Sequence, residues 1–260
     1  MGSAEVQGRL WGPGARDWSE LNEPCCTPFY EAVFDAIAVG SGMMMLDAGC
    51  GGGYALQLAA KRGATLTGFD ACAALIDIAR ERVPSADIRQ GDLESLPFAG
   101  DTFDAITAFN SVQYAAAPVA AIRELRRVAK PGAPVAILTW GAPERCESRV
   151  ILAAIGGLLP PPPPGAEGPF ALSVPGKLEE LTEAAGLTPE RADEVPTPLI
   201  YPDLATAVRT QLSSGPARLA IEHAGEPSVR KALATAFADS RQSDGSYRQE
   251  NTFRYLIARA

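Results

Sequence analysis

Two periods of apolar residues alternate along this chain. Phe29, Tyr30, Val33, Phe34 and Ile37 repeat at helical spacing, and Gly40 and Gly42 stop the pattern. The run Met43-Met44-Met45-Leu46 then ends in Asp47 and a string of glycines, the texture of a strand buried on both faces. Tyr54 to Arg62, with apolar positions 55, 58 and 59, predicts a helix closed by Gly63. Ala64 to Phe69 predicts a second strand, ending at Asp70. Ala74 to Val83 predicts a helix with Leu75, Ile78 and Ala79 on one face, stopped before Pro84. Asp87 to Gln90 is a short third strand leading into Gly91-Asp92. Phe103 to Phe109 is a fourth strand, and Pro134 to Trp140 a fifth. Between them Pro118 to Lys130 predicts a helix with Pro in its first turn, apolar residues at 119, 122, 125 and 128, and a Pro131-Gly132 stop.

Strand and helix alternating over short connections predict an α/β fold, a doubly wound, mostly parallel sheet. Beyond Trp140 the pattern loosens. Pro160 to Pro164 is stiff and extended, a spacer or an ordered loop, with docking to a proline-recognition module as the alternative. Lys177 to Ala185 predicts a helix ending at Gly186, and a strand follows between Leu187 and Val195. Positions 204, 208 and 212, then 229, 232, 233, 236 and 237, predict two further helices, and Phe253 to Ala258 a last strand. The expected organisation is an N-terminal helical cover over 1–40, a core over 41–198 and 246–260 with a loop insert at 141–176, and a helical cap over 199–245.

Composition narrows the chemistry. With 260 residues, 47% hydrophobic and 21% charged, the chain has the balance of a globular protein. A formal net charge of −8 argues against a nucleic-acid partner. The densest basic cluster, Arg123, Arg126, Arg127 and Lys130, reads as the solvated face of one helix. No apolar stretch is long enough to span a membrane, and Met1 to Leu10 lacks the pattern of a secretory signal. Five cysteines without a C-x-x-C pair, beside one histidine, predict no metal site and reduced thiols in a cytoplasmic protein.

Ligands of doubly wound sheets bind outside the carboxyl ends of the strands. The turn Asp47-Ala48-Gly49-Cys50-Gly51-Gly52-Gly53 falls there, and its glycines allow close approach while the next helix offers N-terminal amides. A dinucleotide fingerprint needs glycine at 54, where the chain has Tyr54, and Asp47 suits a cationic group better than a pyrophosphate. Asp70 ends the second strand and can accept both hydroxyls of a ribose. Asp92, ending the third, can accept from an adenine amino group, and Leu96-Pro97-Phe98 supplies apolar walls. Taken singly, Asp47 could be a helix cap and Asp92 a turn residue. Three acids in order along one rim favour a shared ligand.

Together with Gly91 to Phe98, Phe103-Asp104-Ala105-Ile106 and Leu125 to Gly132, these residues resemble the class I S-adenosylmethionine-dependent methyltransferases, in particular the small-molecule branch that includes the quinone-biosynthesis enzymes. The resemblance covers about residues 43–140. It implies S-adenosyl-L-methionine as cofactor, S-adenosyl-L-homocysteine as product and a small-molecule methyl acceptor. It also implies that Gly49, Cys50 and Gly51 lie against the methionine part with Asp47 near its amine, and that Asp70 holds the ribose. Ala71 would touch the adenine edge, Asp92 the adenine amino group and the Leu93 amide a ring nitrogen. Asn110 would face the methionine carboxylate or the sulfonium, and Trp18 would cover the cofactor.

Tyr114 and His223 are the candidate catalytic groups, and Tyr30, Gln113 and Tyr201 the candidate acceptor contacts. His223 is either a general base or a solvated helix residue. Besides methyl transfer, a non-methylating cyclisation or rearrangement, a non-catalytic binding module and a nicotinamide dehydrogenase are the rivals. Tyr54 and Asp47 argue against the last.

Overall fold

The computed structural model describes residues 2–161 and 168–260. Among these residues nine strands form: β1 Met44–Ala48, β2 Thr65–Asp70, β3 Asp87–Gln90, β4 Ala105–Phe109, β5 Pro134–Trp140, β6 Thr188–Pro196, β7 Leu199–Tyr201, β8 Tyr247–Gln249 and β9 Thr252–Arg259. Seven of them make one sheet in the order β3-β2-β1-β4-β5-β9-β6. The first five run parallel, while β9 lies antiparallel between β5 and β6. The doubly wound expectation holds. Asp47 pairs with Gly68 on one side and Thr107 on the other, so β1 sits mid-sheet and brings its terminal acid to the centre of the rim.

Apolar layers cover both faces. Phe29, Val33 and Phe34 from helix Thr27–Ala36 pack with Met45, Leu56, Ile76 and Phe109 on one side. Ile122, Leu125 and Val128 from helix Pro118–Val128 pack with Leu46, Ile106 and Val135 on the other. Full burial of side chains of this size is worth about 1.5–3 kcal/mol each. The edge strand β6 is exposed and carries Glu190, Arg191, Asp193 and Glu194, charges that discourage edge-to-edge pairing.

The fourth strand begins two residues later than its apolar pattern predicts. Asp104 ties the strand entry instead, accepting from the Met44 amide at 2.8 Å and from Lys130 Nζ at 2.7 Å. The segment expected as a loop at 141–176 holds a helix, Arg149–Gly156, whose near-continuous apolar run hid its period. Three helices rather than two follow β7: Leu204–Leu212, Gly215–Ala224 and Glu226–Ala236. Gly215-Pro216 looks like a breaker, yet it opens the middle helix, because Ser214 caps it and Pro belongs in a first turn. These helices, the Arg149–Gly156 helix and the β7–β8 pair bury a separate cluster that includes Ile151, Ile155, Tyr201 and Phe237. The proline run extends beyond Pro161 outside the described residues.

The N-terminal segment starts with a helix, Ala4–Trp11, which the sequence pattern did not signal, and continues through short helical turns to Cys26. Arg9 pairs with Glu222 and Arg209 with Asp17, tying this segment to the cap helices.

Candidate functional site

The carboxyl ends of β1, β2 and β4 open onto a cavity of about 610 Å³, a volume suited to small molecules. Its floor is the turn after β1. Gly49 has φ +88°, and a Cβ there would lie 2.2 Å from the Ser111 Cβ, so glycine is required both for the turn and for the close approach of the β4 end.

The amides of this turn are spent within the protein. Gly49 and Cys50 donate to the Phe69 carbonyl at 2.7 and 3.0 Å, and Gly53 donates to the Cys50 carbonyl at 2.9 Å. Gly51 donates to Asp70 Oδ2 at 2.9 Å and Gly52 to Glu23 Oε1 at 2.6 Å. The carboxylates of Asp47, Asp70 and Glu23 all line the cavity. The floor is therefore rich in acceptors, which favours a cationic ligand and disfavours a pyrophosphate.

Burial sets the state of these acids. It pushes the Asp47 carboxyl up to about 7 against the hydrogen bond that Thr107 Oγ1 donates at 2.8 Å, and Asp70 and Glu23 add repulsion. Burial raises Glu23 to about 7 as well, against the pull of Arg82. It raises Asp70 too, opposed by the amides of Cys72, Gly51 and Ala71.

Asn110 turns off the end of β4 with φ +49°, its amide held by the Leu138 carbonyl at 2.9 Å. Gln113 reaches Asn110 Oδ1 at 3.4 Å. Beside them the Tyr114 ring stands edge-on to Trp11, with centroids 5.6 Å apart, and Trp11 stands edge-on to Trp18 at 4.7 Å. Burial raises the Tyr114 hydroxyl to about 12, so it keeps its proton at neutral pH. The Cys50 thiol is likewise held protonated by burial beside Asp70 and Asp47, which removes it as a nucleophile.

The opposite wall has another character. Trp140 stacks on Phe253 with centroids 4.5 Å apart, and Phe29 and Phe109 extend the aromatic surface. Ile151, Leu152 and Ile155 arrive from the Arg149–Gly156 helix, and Gln211 and Ser214 from the cap. Among the described residues no Lys, Arg or His lines the cavity, and no cluster suited to a metal ion is present.

Of the residues singled out from sequence, the cavity gathers Trp18, Tyr30, Asp47, Gly49, Cys50, Gly51, Asp70, Ala71, Leu93, Asn110, Gln113 and Tyr114. Three stand elsewhere. Asp92 is claimed by the first helix, accepting from the Ala4 amide at 3.2 Å and the Glu94 amide at 3.0 Å, and it does not line the cavity. Tyr201 is buried in the cap against Phe237, and its hydroxyl accepts from Gln211 at 3.2 Å. His223 is exposed on the cap surface, 3.2 Å from the Leu158 carbonyl. Sequence reasoning missed Glu23, Trp11 and the Arg149–Gly156 helix. No short-range pattern marks Glu23, whose ionic partner Arg82 lies 59 residues away.

Comparison with known proteins agrees with this geometry. Residues 46–137 match the family model described as a methyltransferase domain. The malonyl-[acyl-carrier protein] O-methyltransferase of Erwinia pyrifoliae is 34% identical over 132 residues, covering 50% of this chain and 49% of that protein. The demethylmenaquinone methyltransferase of Renibacterium salmoninarum is 30% identical over 111 residues, covering 43% and 47%. The chain thus spans about half the length of the curated relatives it matches. Among solved structures the [4+2]-cyclase SpnF superposes with a TM-score of 0.57 at 21% identity, over 89% of this chain and 80% of that one, a likeness of fold. Over residues 46–137 the chain is therefore similar to methyltransferase domains, and the relatives it matches include a demethylmenaquinone methyltransferase.

Proposed function

We propose that the chain transfers a methyl group from S-adenosylmethionine to a small, mostly apolar acceptor. One observation carries this: a cavity joins an acidic, acceptor-rich floor to an aromatic roof, with no lining cation among the described residues. The floor fits the cofactor, whose ammonium and sulfonium are attracted by Asp47, Glu23 and Asp70. Asp70 keeps lone pairs free to accept from ribose hydroxyls while holding the turn, and Asp47 faces the amine. Ala71 and Leu93 would flank the adenine, Trp18 would cover the cofactor, and Asn110 would stand by the methionine carboxylate or the sulfonium.

When bound, the cofactor supplies a methyl on a positively charged sulfur; the acceptor's lone pair forms the new bond as the carbon–sulfur bond breaks and its electrons return to sulfur. The protein's part is positioning, which supplies about 7–11 kcal/mol of such a barrier. Trp140, Phe253 and Phe29 clamp a flat apolar body. Tyr30, Gln113 and Tyr114 orient its polar edge. Tyr114 holds its proton at neutral pH, so it donates a hydrogen bond rather than acting as a base. A free carboxylate on the acceptor would lack a counter-cation here, which argues against acidic acceptors. The net charge of −8 argues against nucleic acid, and five unpaired thiols suit the cytoplasm.

The test combines two measurements. Calorimetric titration with S-adenosylhomocysteine reports the floor; no heat at millimolar ligand would overturn the cofactor role. Methyl-labelled cofactor offered with apolar phenols, and separately with a malonyl thioester, reports the roof. Label is expected in the phenols. A non-methylating cyclisation is the second reading, favoured by an apolar roof without a neutral-pH base, and it predicts cofactor binding without label transfer to any acceptor.

A further inference from the structure

We propose that Glu23 is a positioning residue for the cofactor: it fixes the glycine turn from the N-terminal side, so that the segment Ser19–Glu23 is a built-in part of the cofactor floor. The inference rests on the cofactor assignment above and adds a residue to it.

The geometry is dense and specific. Glu23 is 3% exposed and aims one carboxylate oxygen at the Gly52 amide, 2.6 Å away. Its other oxygen meets Arg82 Nη1 at 2.5 Å. The same guanidinium donates to the Gly52 carbonyl at 2.6 Å, to the Ser19 carbonyl at 3.0 Å and to Ser19 Oγ at 2.7 Å. Arg82 therefore joins the N-terminal segment, the glycine turn and the helix Ala73–Arg82 in one knot, and its side chain is mostly buried over the Tyr54 ring. Gly51 and Gly52 complete the case. A Cβ on Gly51 would fall 2.6 Å from Glu23 Oε1, and one on Gly52 would fall 2.4 Å from Ser19 Oγ. The N-terminal segment thus leaves no room for a side chain at either position, and Gly51 also has φ +54°.

The charge environment gives this arrangement a pH dependence. Glu23 faces Arg82 from the helix below, Asp70 and Asp47 from the strand ends, and Cys26 and Tyr30 from its own side. Burial holds its carboxyl at about 7, outweighing Arg82. Protonation removes the negative partner of Arg82 and loosens the bond to Gly52. Cofactor affinity should then fall as the pH drops below about 7.

Glu23→Gln keeps the shape and an oxygen for the Gly52 amide but discards the charge. Its affinity for S-adenosylhomocysteine, measured by calorimetry from pH 6 to 8, is expected to be about tenfold weaker at pH 8, with a flatter pH profile than the wild type. Arg82→Gln is expected to weaken binding similarly, and the double variant to cost no more than either single change, because the two act as one unit. Ser19→Ala removes one hydroxyl from the guanidinium and leaves the ion pair, so it stays measurable if Glu23→Gln does not fold; about threefold weaker binding is expected. Unchanged affinity and pH profile in the folded variants would overturn the role of Glu23. Failure of the wild type itself to bind S-adenosylhomocysteine would instead overturn the cofactor assignment.

Discussion

The floor and the roof of the cavity recognise ligands by opposite physics. The floor is built at the ends of parallel strands, from carboxylates whose geometry is fixed by backbone bonds: Gly51 and Cys72 donate to Asp70, Gly52 to Glu23, Thr107 to Asp47. Asp47 and Asp70 take their positions from the register of the sheet, and Glu23 takes its own from Gly52 and Arg82. The roof is built from the Arg149–Gly156 helix, the cap helices and the aromatic pair Trp140–Phe253, and it recognises by shape and dryness. A floor made of fixed charges serves one cofactor. A roof of apolar side chains can change its contour, and hence its acceptor, without disturbing the sheet below.

The most forceful way to separate the halves is to damage the roof alone. Phe237 is fully buried in the cap core and touches none of the cavity. Phe237→Ala should lower stability by about 3–5 kcal/mol through transfer and cavity terms. In chemical denaturation the cap is expected to unfold first. Turnover of any apolar acceptor should fall sharply while S-adenosylhomocysteine still binds within a few-fold of the wild type. An equal loss of cofactor binding would mean that floor and roof are one cooperative unit, coupled through the pairs Arg9–Glu222 and Arg209–Asp17.

The floor has its own signature, readable without any acceptor. Asp47 rises from 3.8 to about 7 and Glu23 from 4.5 to about 7 on folding. Between those limits the folded state holds more protons than the unfolded state, so the stability these groups contribute is fully present below about pH 4 and is lost as the pH rises through 7. The cofactor-free protein should lose about 2–3 kcal/mol from each of these groups between pH 5 and 8. Cofactor affinity runs the other way, since a cation favours the ionised carboxylates. Asp47→Asn, which can still accept from Thr107, should flatten part of the stability profile, and adding Glu23→Gln should flatten most of the remainder. A profile that is steep in the double variant would assign the effect to other groups.

The same division governs what the sequence disclosed. Strand ends are local: an apolar run, an acid and glycines sit within ten residues, so Asp47, the turn and Asp70 were legible together with the mostly parallel sheet. Asp92 carried the same local mark, yet it does not line the cavity, and its carboxylate accepts from the Ala4 amide, 88 residues earlier. Glu23 also faces the cavity; it has no motif, and its ionic partner Arg82 lies 59 residues away. The roof was less legible still. Tyr201 was read as an acceptor contact, yet the cap core encloses it, and the Arg149–Gly156 helix was lost in a segment read as loop because its apolar residues run almost unbroken. Residues whose role depends on distant packing leave little trace in local pattern.

The smallest expected effect tests the roof's claim to work without a base. His223 is the chain's one histidine, and a sequence reader looks to it for proton transfer. It stands on the solvent side of helix Gly215–Ala224, its Nδ1 3.2 Å from the Leu158 carbonyl, and it lines no part of the cavity. Proton abstraction requires hydrogen-bond reach to the acceptor or to one intervening water. His223→Ala should therefore leave methyl transfer, measured as labelled product per minute over pH 6–8, within twofold of the wild type, with stability changed by less than about 0.5 kcal/mol, the usual range for a surface substitution. A loss of tenfold or more would show that the cap folds over during turnover and brings His223 to the acceptor. The roof would then supply chemistry as well as shape, and its contrast with the floor would fail at that point.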